Sequence, residues 1–402
     1  MRMLSAAVAT RPSLPSLRQR GGVRGGAKPR FDLSAFSRAF HTLTEPHPCS
    51  SPLRGEGRRH LDVARKFWAF IVLALFAFPA LGQTKVSVGI TNVIADVGFF
   101  VAHKRGYFAA EKLDVNFVAF DAAARMIAPM ASGELDVGGG GIAAGLFNAV
   151  ARGVGLKIVA DKSTSAPGLG TGALMVRKDL VDAGRYKSVK DMKGWKLAIP
   201  AAGTGTSTSL ENLFSANGFA LKDMDVVYLS FPQMVTALEN KAVDAAFLTE
   251  PGVTTVETRG VAHRVASDDE MFPDHQIAVT LASEKFIRGN RPAAVAFMRA
   301  FLKGTRDYTD AIEKGRLTGP GAEAIIAILT EYSLIKDPAV YRKIRVQSCD
   351  PDGKINVESL EKDLAYFRSQ GLIEGRVTVA DSIDTSIAEA AVRDIGAYKR
   401  KN

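Results

Sequence analysis

The sequence predicts an α/β protein of two lobes, each a mostly parallel sheet flanked by helices. Two observations carry this expectation. From residue 85 onward, apolar positions alternate with period two and then recur at helical spacing, in the order β-α-β-α-β. The same order returns further along: Asp225 stands opposite Asp114 and Phe231 opposite Phe120 at one offset of 111 (225 − 114 and 231 − 120). Similarity over three successive elements at that spacing predicts two homologous sheets, not a solenoid of short repeats.

In chain order, KVSVGI (85–90) reads as a strand, DVGFFVAHKRGYF (96–108) as a helix and LDVNFVAF (113–120) as a strand. AAARMIAPMASG (122–133) reads as a helix and LDVGG (135–139) as the third strand. In the second copy, WKLAIP (195–200) answers KVSVGI, GFALKDMDVVYLSF (218–231) answers the second strand and its approach, and TALENKAVDAAFL (236–248) brings Asp244 opposite Asp136. From Arg291 the pattern is helical, in PAAVAFMRAFLKGTRDYTDAIEKG and AEAIIAILTEY, and these helices are expected to buttress the first lobe without contributing to a ligand site.

Charge is unevenly spread. The 402 residues carry 52 basic and 42 acidic side chains. Residues 1–82 hold 13 Lys and Arg against 4 Asp and Glu, so the remaining 320 hold 39 against 38 (52 − 13 and 42 − 4). A body this close to neutral gives no support to nucleic-acid binding. The basic leader reads as targeting. Arg65 and Lys66 precede FWAFIVLALFAFPA (67–80), a run short for a membrane span, and Ala80-Leu81-Gly82 offers small residues at a cleavage site before Gln83.

Residues 63–82 are therefore read as a secretory signal peptide, and 1–62, rich in Arg, Pro, Gly and Ser, as a disordered or misassigned leader. No cysteine follows the apolar run, so no lipid anchor is expected. Cys349 is the single cysteine after residue 82, which excludes an internal disulfide and a thiol cluster for a metal. The expected product is a periplasmic monomer without a cofactor.

The stretch ELDVGGGGIAAG (134–145) raises a nucleotide site: Gly139, Gly141 and Ala144 fit G-x-G-x-x-A, and Asp161 ends the next apolar run. A nucleotide-dependent enzyme is thus one alternative. The fingerprint, however, belongs to the first β-α turn of its fold, whereas here it follows a third strand, and its counterpart AAFLTEPG lacks it. Gly139, Gly140 and Gly141 are expected instead to let backbone N–H groups approach a small ligand, with the helix IAAGLFNAVARG pointing its positive end there.

HKRGYFAAEKLDVNFV, MASGELDVGGGG, SVKDMKGWKLAIPAAGTGTSTSLENLFSANGFALKDMDVVYL, ENKAVDAAFLTEPG and DPDGKINVESLEKDLAYFRSQGLI form an ordered set over nearly all of the body. It resembles the nitrate/sulfonate/taurine-type periplasmic substrate-binding proteins of ABC importers, a family that also includes binders of thiamine-pyrimidine precursors. The resemblance implies the type II periplasmic-binding-protein fold, a small anionic or pyrimidine-like ligand clamped between lobes, and a membrane permease as partner. On that plan residues 83–170 and 283–402 form lobe I and 171–282 form lobe II, with the chain crossing at ALMVRK and returning at QIAVTLA. A periplasmic sensor or adaptor of the same fold is a further alternative.

Binding loops of open α/β sheets gather at the carboxyl ends of strands. The candidates there are Thr91 and Asn92, Phe120 and Asp121, Gly139 to Gly141, and Ser163 and Thr164; the second lobe offers Thr204, Thr206 and Ser207, then Phe231, then Glu250. The hydroxyl-rich AAGTGTSTSLE (201–211) precedes a helix, with Thr208 and Glu211 fitting a capping box, so its free N–H groups suit an anion. The histidines after residue 82, His103, His263 and His275, sit in separate segments, and no H-E-x-x-H, C-x-x-C, G-x-S-x-G or Walker motif occurs. A binding module is expected, not an enzyme.

Overall fold

The computed structural model describes residues 82–120 and 122–400; residues 1–81, read above as leader and signal peptide, and Asp121 lie outside the described residues. Two five-stranded sheets organise the chain. The first holds β1 (Thr84–Ile90), β2 (Leu113–Ala119), β3 (Val137–Gly141), β4 (Leu156–Ser165) and β10 (His275–Ser283). The second holds β5 (Gly172–Arg177), β6 (Lys196–Ile199), β7 (Asp225–Tyr228), β8 (Ala245–Thr249) and β9 (Ala262–Ser267). Their orders, β2-β1-β3-β10-β4 and β7-β6-β8-β5-β9, match place for place. In each, the fourth place is antiparallel to its neighbours and is filled by the strand that arrives from the other lobe.

The repeated aspartates explain part of that match. Asp136 accepts the Ser87 N–H at 2.9 Å and donates its own N–H to the Ser87 carbonyl. Asp244 does the same to Lys196, at 3.0 Å and 2.9 Å. Each carboxylate stands at the entrance of a third strand and satisfies a backbone donor of the first strand there. Period-two alternation supplies the cores. In β5, Leu174 and Val176 pack with Phe214 on one face, while Ala173 and Met175 pack with Met234 and Leu238 on the other.

β10 pairs with β3 and β4, so QIAVTLA lies in the first sheet, and the chain has already returned by His275 and not at 283. The strand pattern is the same whichever sheet receives it, which is why the boundary is not readable from periodicity. The two crossovers, between Ser165 and Gly172 and between Ser267 and His275, are tied together. Asp268 accepts the Gly172 N–H at 2.8 Å and Asp269 accepts the Gly168 N–H at 2.7 Å.

The C-terminal helices cover the first sheet as expected. Phe297 and Phe301 of the helix Arg291–Asp310 bury against Phe99 of the helix Val97–Lys104. The two helices approach closely because both carry glycine at the crossing. A Cβ on Gly304 would stand 2.4 Å from the Gly98 carbonyl oxygen and 2.7 Å from the Ala102 nitrogen, both backbone atoms that cannot rotate away. Gly304→Ala is therefore expected to lower the unfolding free energy by about 3 kcal/mol, read as a fall in the urea midpoint at unchanged slope.

Candidate ligand site between the lobes

The loop after β1 is held by a buried ion pair that no motif announces. Asp96, fully buried, accepts the N–H groups of Thr91 and Val93 at 3.0 and 3.1 Å and the Thr91 hydroxyl at 3.3 Å through one oxygen. Its other oxygen lies 2.8 Å from the buried Lys162 ammonium, off the hydrogen-bond direction, so that contact is one of charge. Lys162 reaches Asp96 by passing over Gly139, where a Cβ would stand 2.6 Å from the lysine Cε. Thr91 and Gly139 are thus brought together through Lys162 and Asp96. Asn92, half-buried in the left-handed region with φ 55°, accepts the Leu334 N–H at 3.0 Å.

The glycines of β3 differ from the expectation. Gly139 is filled over by Lys162, and a Cβ on Gly140 would meet that of Ala123 at 2.1 Å. Both are buried by the protein itself, and only Gly141 is exposed. Close packing is the physical reason for these glycines, and it leaves a nucleotide phosphate no approach to Gly139 or Gly140. Asp161, the would-be ribose carboxylate, is likewise buried. It accepts Thr164 Oγ1 at 3.1 Å, Gln276 Nε2 and the Asp350 N–H, and burial pushes its acid up to about 6.

Across from Gly141, the loop 201–205 of the second lobe meets the first lobe directly. The Ala144 N–H donates to the Gly203 carbonyl at 2.9 Å and the Gly205 N–H to the Ile142 carbonyl at 3.1 Å. Both donors open helices, Ala144–Ala151 and Gly205–Ala216, so donors of the kind expected to face an anion here close one lobe on the other. The helix N-cap is Thr204 and not Thr208. Thr208 sits inside the first turns, and Glu211 accepts the Leu221 N–H and the Ser215 hydroxyl, so the capping box does not form. The Thr204 and Ser207 hydroxyls both donate to the Ala201 carbonyl at 3.3 Å; Thr206 is half-buried beside them.

Other expected contacts are not drawn together. Phe120 and Phe231 are partly buried against the apolar cores of their own lobes. Ser163 is buried, and Thr164 pairs with Ser348. Ser209, His275 and Asp363 do form a chain, Oγ to Nδ1 at 3.0 Å and Nε2 to Oδ2 at 3.0 Å. With exposures of 2%, 2% and 0%, the three are closed to substrate, and they join the helix Gly205–Ala216, β10 and the helix Val357–Ser369.

Glu250 lines a cavity of about 700 Å³. One wall is Glu250, Thr254, Glu257, Thr258 and Arg264, from the second lobe; the other is Arg316, Arg342, Lys343 and Arg345, from the C-terminal part of the chain. Glu250 accepts the Thr254 N–H and hydroxyl, both at 3.0 Å, and burial raises its pKa. The arginine-rich wall comes from the part of the chain after 291, where the sequence offers no ligand signal. Arg342, Lys343 and Arg345 are neighbours in the chain, and the fold brings Arg316 to them.

Two matched sheets joined by a double crossover, with a cavity walled from both sides, define a periplasmic-binding-protein fold. The family model described as NMT1/THI5 like matches residues 95–312, more than half of the chain. The chain belongs to this NMT1/THI5-like family. A Brucella abortus (strain 2308) protein carried under the name of a binding protein is 28% identical over 128 residues, which is 31% of this chain. The match spans 40% of that relative's length.

Among solved structures, the alkanesulfonate-binding protein SsuA of Xanthomonas axonopodis pv. citri, bound to MOPS, is similar at TM-score 0.56 and 18% identity, covering 76% of this chain and 99% of that one. The nitrate-binding protein NrtA of Synechocystis PCC 6803 is similar at TM-score 0.63 and 13% identity, covering 78% and 89%. The desulfurization enzyme DSZB shares the fold at TM-score 0.55 and 12% identity, covering 78% and 100%.

Proposed function

We propose that the chain is the solute-binding component of an ABC importer. It captures a small organic or inorganic anion (a sulfonate, nitrate or carboxylate) or a pyrimidine-like molecule between its lobes and delivers it to an inner-membrane permease. The observation that carries this reading is the cavity at Glu250, whose walls come from segments on either side of the double crossover, so that a solute touching both favours closure. The neighbours named above as sulfonate- and nitrate-binding proteins support a binder over an enzyme. On this reading the protein is exported, cleaved near Gly82/Gln83 and monomeric. Glu250 is its proposed contact in this cavity, and Thr91, Asn92, Gly141, Thr204, Thr206 and Ser207, which lie outside the cavity's lining, are proposed as contacts at the strand ends and the loop 201–205.

A thermal-shift screen of residues 83–402 against sulfonates, nitrate, carboxylates and pyrimidines tests it. A solute that binds the folded chain stabilises it by RT ln(1 + [L]/Kd), about 2.7 kcal/mol at a hundredfold excess over Kd, a clear rise in Tm. A hit weakened in the triple variant Thr204→Ala, Thr206→Ala, Ser207→Ala supports contact at the loop 201–205. Unchanged binding removes those three residues from the site, and a screen without any hit overturns the reading.

A further inference from the structure

We infer that the cavity at Glu250 takes a small organic dianion in preference to a monoanion; this rests on the solute-binding reading above. The argument is a balance of charge at fixed positions. Five cations line the cavity: Arg264, Arg316, Arg342, Lys343 and Arg345. Two are already matched. Arg264 meets Glu257 through two contacts of 3.2 Å, with Glu250 at 3.7 Å, and Arg342 meets Glu323 at 3.0 and 2.7 Å.

Counting as ionised Glu250 and Glu257 of the lining, and Glu323 as the partner of Arg342 outside it, three carboxylates stand against five cations and leave a surplus of two positive charges. Among the described residues, Arg316, Lys343 and Arg345 have no carboxylate within ion-pair distance; the Arg316 guanidinium turns to the Lys343 carbonyl instead. Like charges gathered on one wall repel, and this repulsion is relieved when an anion enters between them. A monoanion leaves one charge unmatched, whereas a ligand with two separated anionic groups matches both.

The wall opposite carries no surplus. Glu250 is fixed by both bonds from Thr254 and stands with its oxygen 3.7 Å from Arg264, so the Arg264 guanidinium is held between Glu250 and Glu257 and is matched on its own wall. The unmatched cations that a ligand meets are those of the basic wall, Arg316, Lys343 and Arg345. Two anionic groups on one skeleton can both engage that wall and stay clear of the carboxylates opposite.

The test pairs malonate, succinate and phthalate with their monomethyl esters, which keep the skeleton and remove one charge. Binding to residues 83–402 is measured by calorimetry at low ionic strength near neutral pH. At least one diacid is expected to bind about tenfold or more tightly than its half-ester, and the double variant Lys343→Gln, Arg345→Gln is expected to erase that preference. The unfolding midpoint of the variant without ligand should hold or rise, since the change relieves repulsion. Half-esters that bind as well as the diacids, or a double variant that keeps the preference, overturn the dianion inference and leave the solute-binding reading intact. If neither these acids nor any compound of the thermal-shift screen binds, both fall together.

Discussion

Asp96→Ala is expected to cost about 3–5 kcal/mol of unfolding free energy, because it strands a lysine ammonium that is 2% exposed in the interior with no countercharge. The same change removes the acceptor for Thr91 and Val93, so the loop after β1 loses its anchor as well. Lys162→Met is expected to cost less. It leaves the Asp96 carboxylate three hydrogen bonds, two from backbone N–H groups and one from the Thr91 hydroxyl, and these continue to stabilise the charge. The double variant should therefore be less destabilised than the sum of the two singles, with a coupling of about 1–3 kcal/mol read from urea midpoints. Additive effects would mean that Lys162 finds another partner and that the pair does not organise the loop.

How legible this arrangement is in the sequence depends on whether the controlling contact is local. The matched sheet orders are readable because Asp136 and Asp244 do the same work in each copy, so the repeat of residues and the repeat of roles coincide. The capping box at Thr208 and Glu211 fits its pattern and still fails. The helix starts earlier, at Gly205, where the first N–H is taken by the Ile142 carbonyl of the other lobe. The run of four glycines is visible as a signal, yet its cause is a lysine 23 positions away (162 − 139) lying across Gly139, together with Ala123 against Gly140. The basic wall of the cavity is the least legible feature. Arg316 and Arg345 belong to no motif, and only long-range folding sets them opposite Glu250 and Arg264.

Between about pH 8 and pH 5 the protein is expected to become more stable as it is acidified, and the carboxylates behind this lie at and beside the crossovers. Burial raises the Asp268 acid from 3.8 to about 7 although the Gly172 and Asp269 N–H groups oppose the shift, and burial raises Asp161 to about 6. In the window between the ordinary value and the raised one, the folded chain holds a proton that the unfolded chain has released. The contribution is thus complete below 3.8 and is lost as the pH rises through about 7 for Asp268 and about 6 for Asp161. Each such proton corresponds to a gradient of about 1.4 kcal/mol per pH unit. From pH 7 to 6 the gradient belongs mainly to Asp268, and below pH 6 Asp161 adds to it. Asp268→Asn carries no titrating proton, so it should flatten the curve between pH 7 and 6 and leave the lower part in place, whatever its effect on absolute stability. Urea unfolding of both proteins across this range measures the difference. A wild-type curve that is flat from pH 7 to 6, or an Asp268→Asn curve that keeps the full slope there, would show that Asp268 remains ionised in the folded chain, joining the two crossovers as a carboxylate and not as an acid.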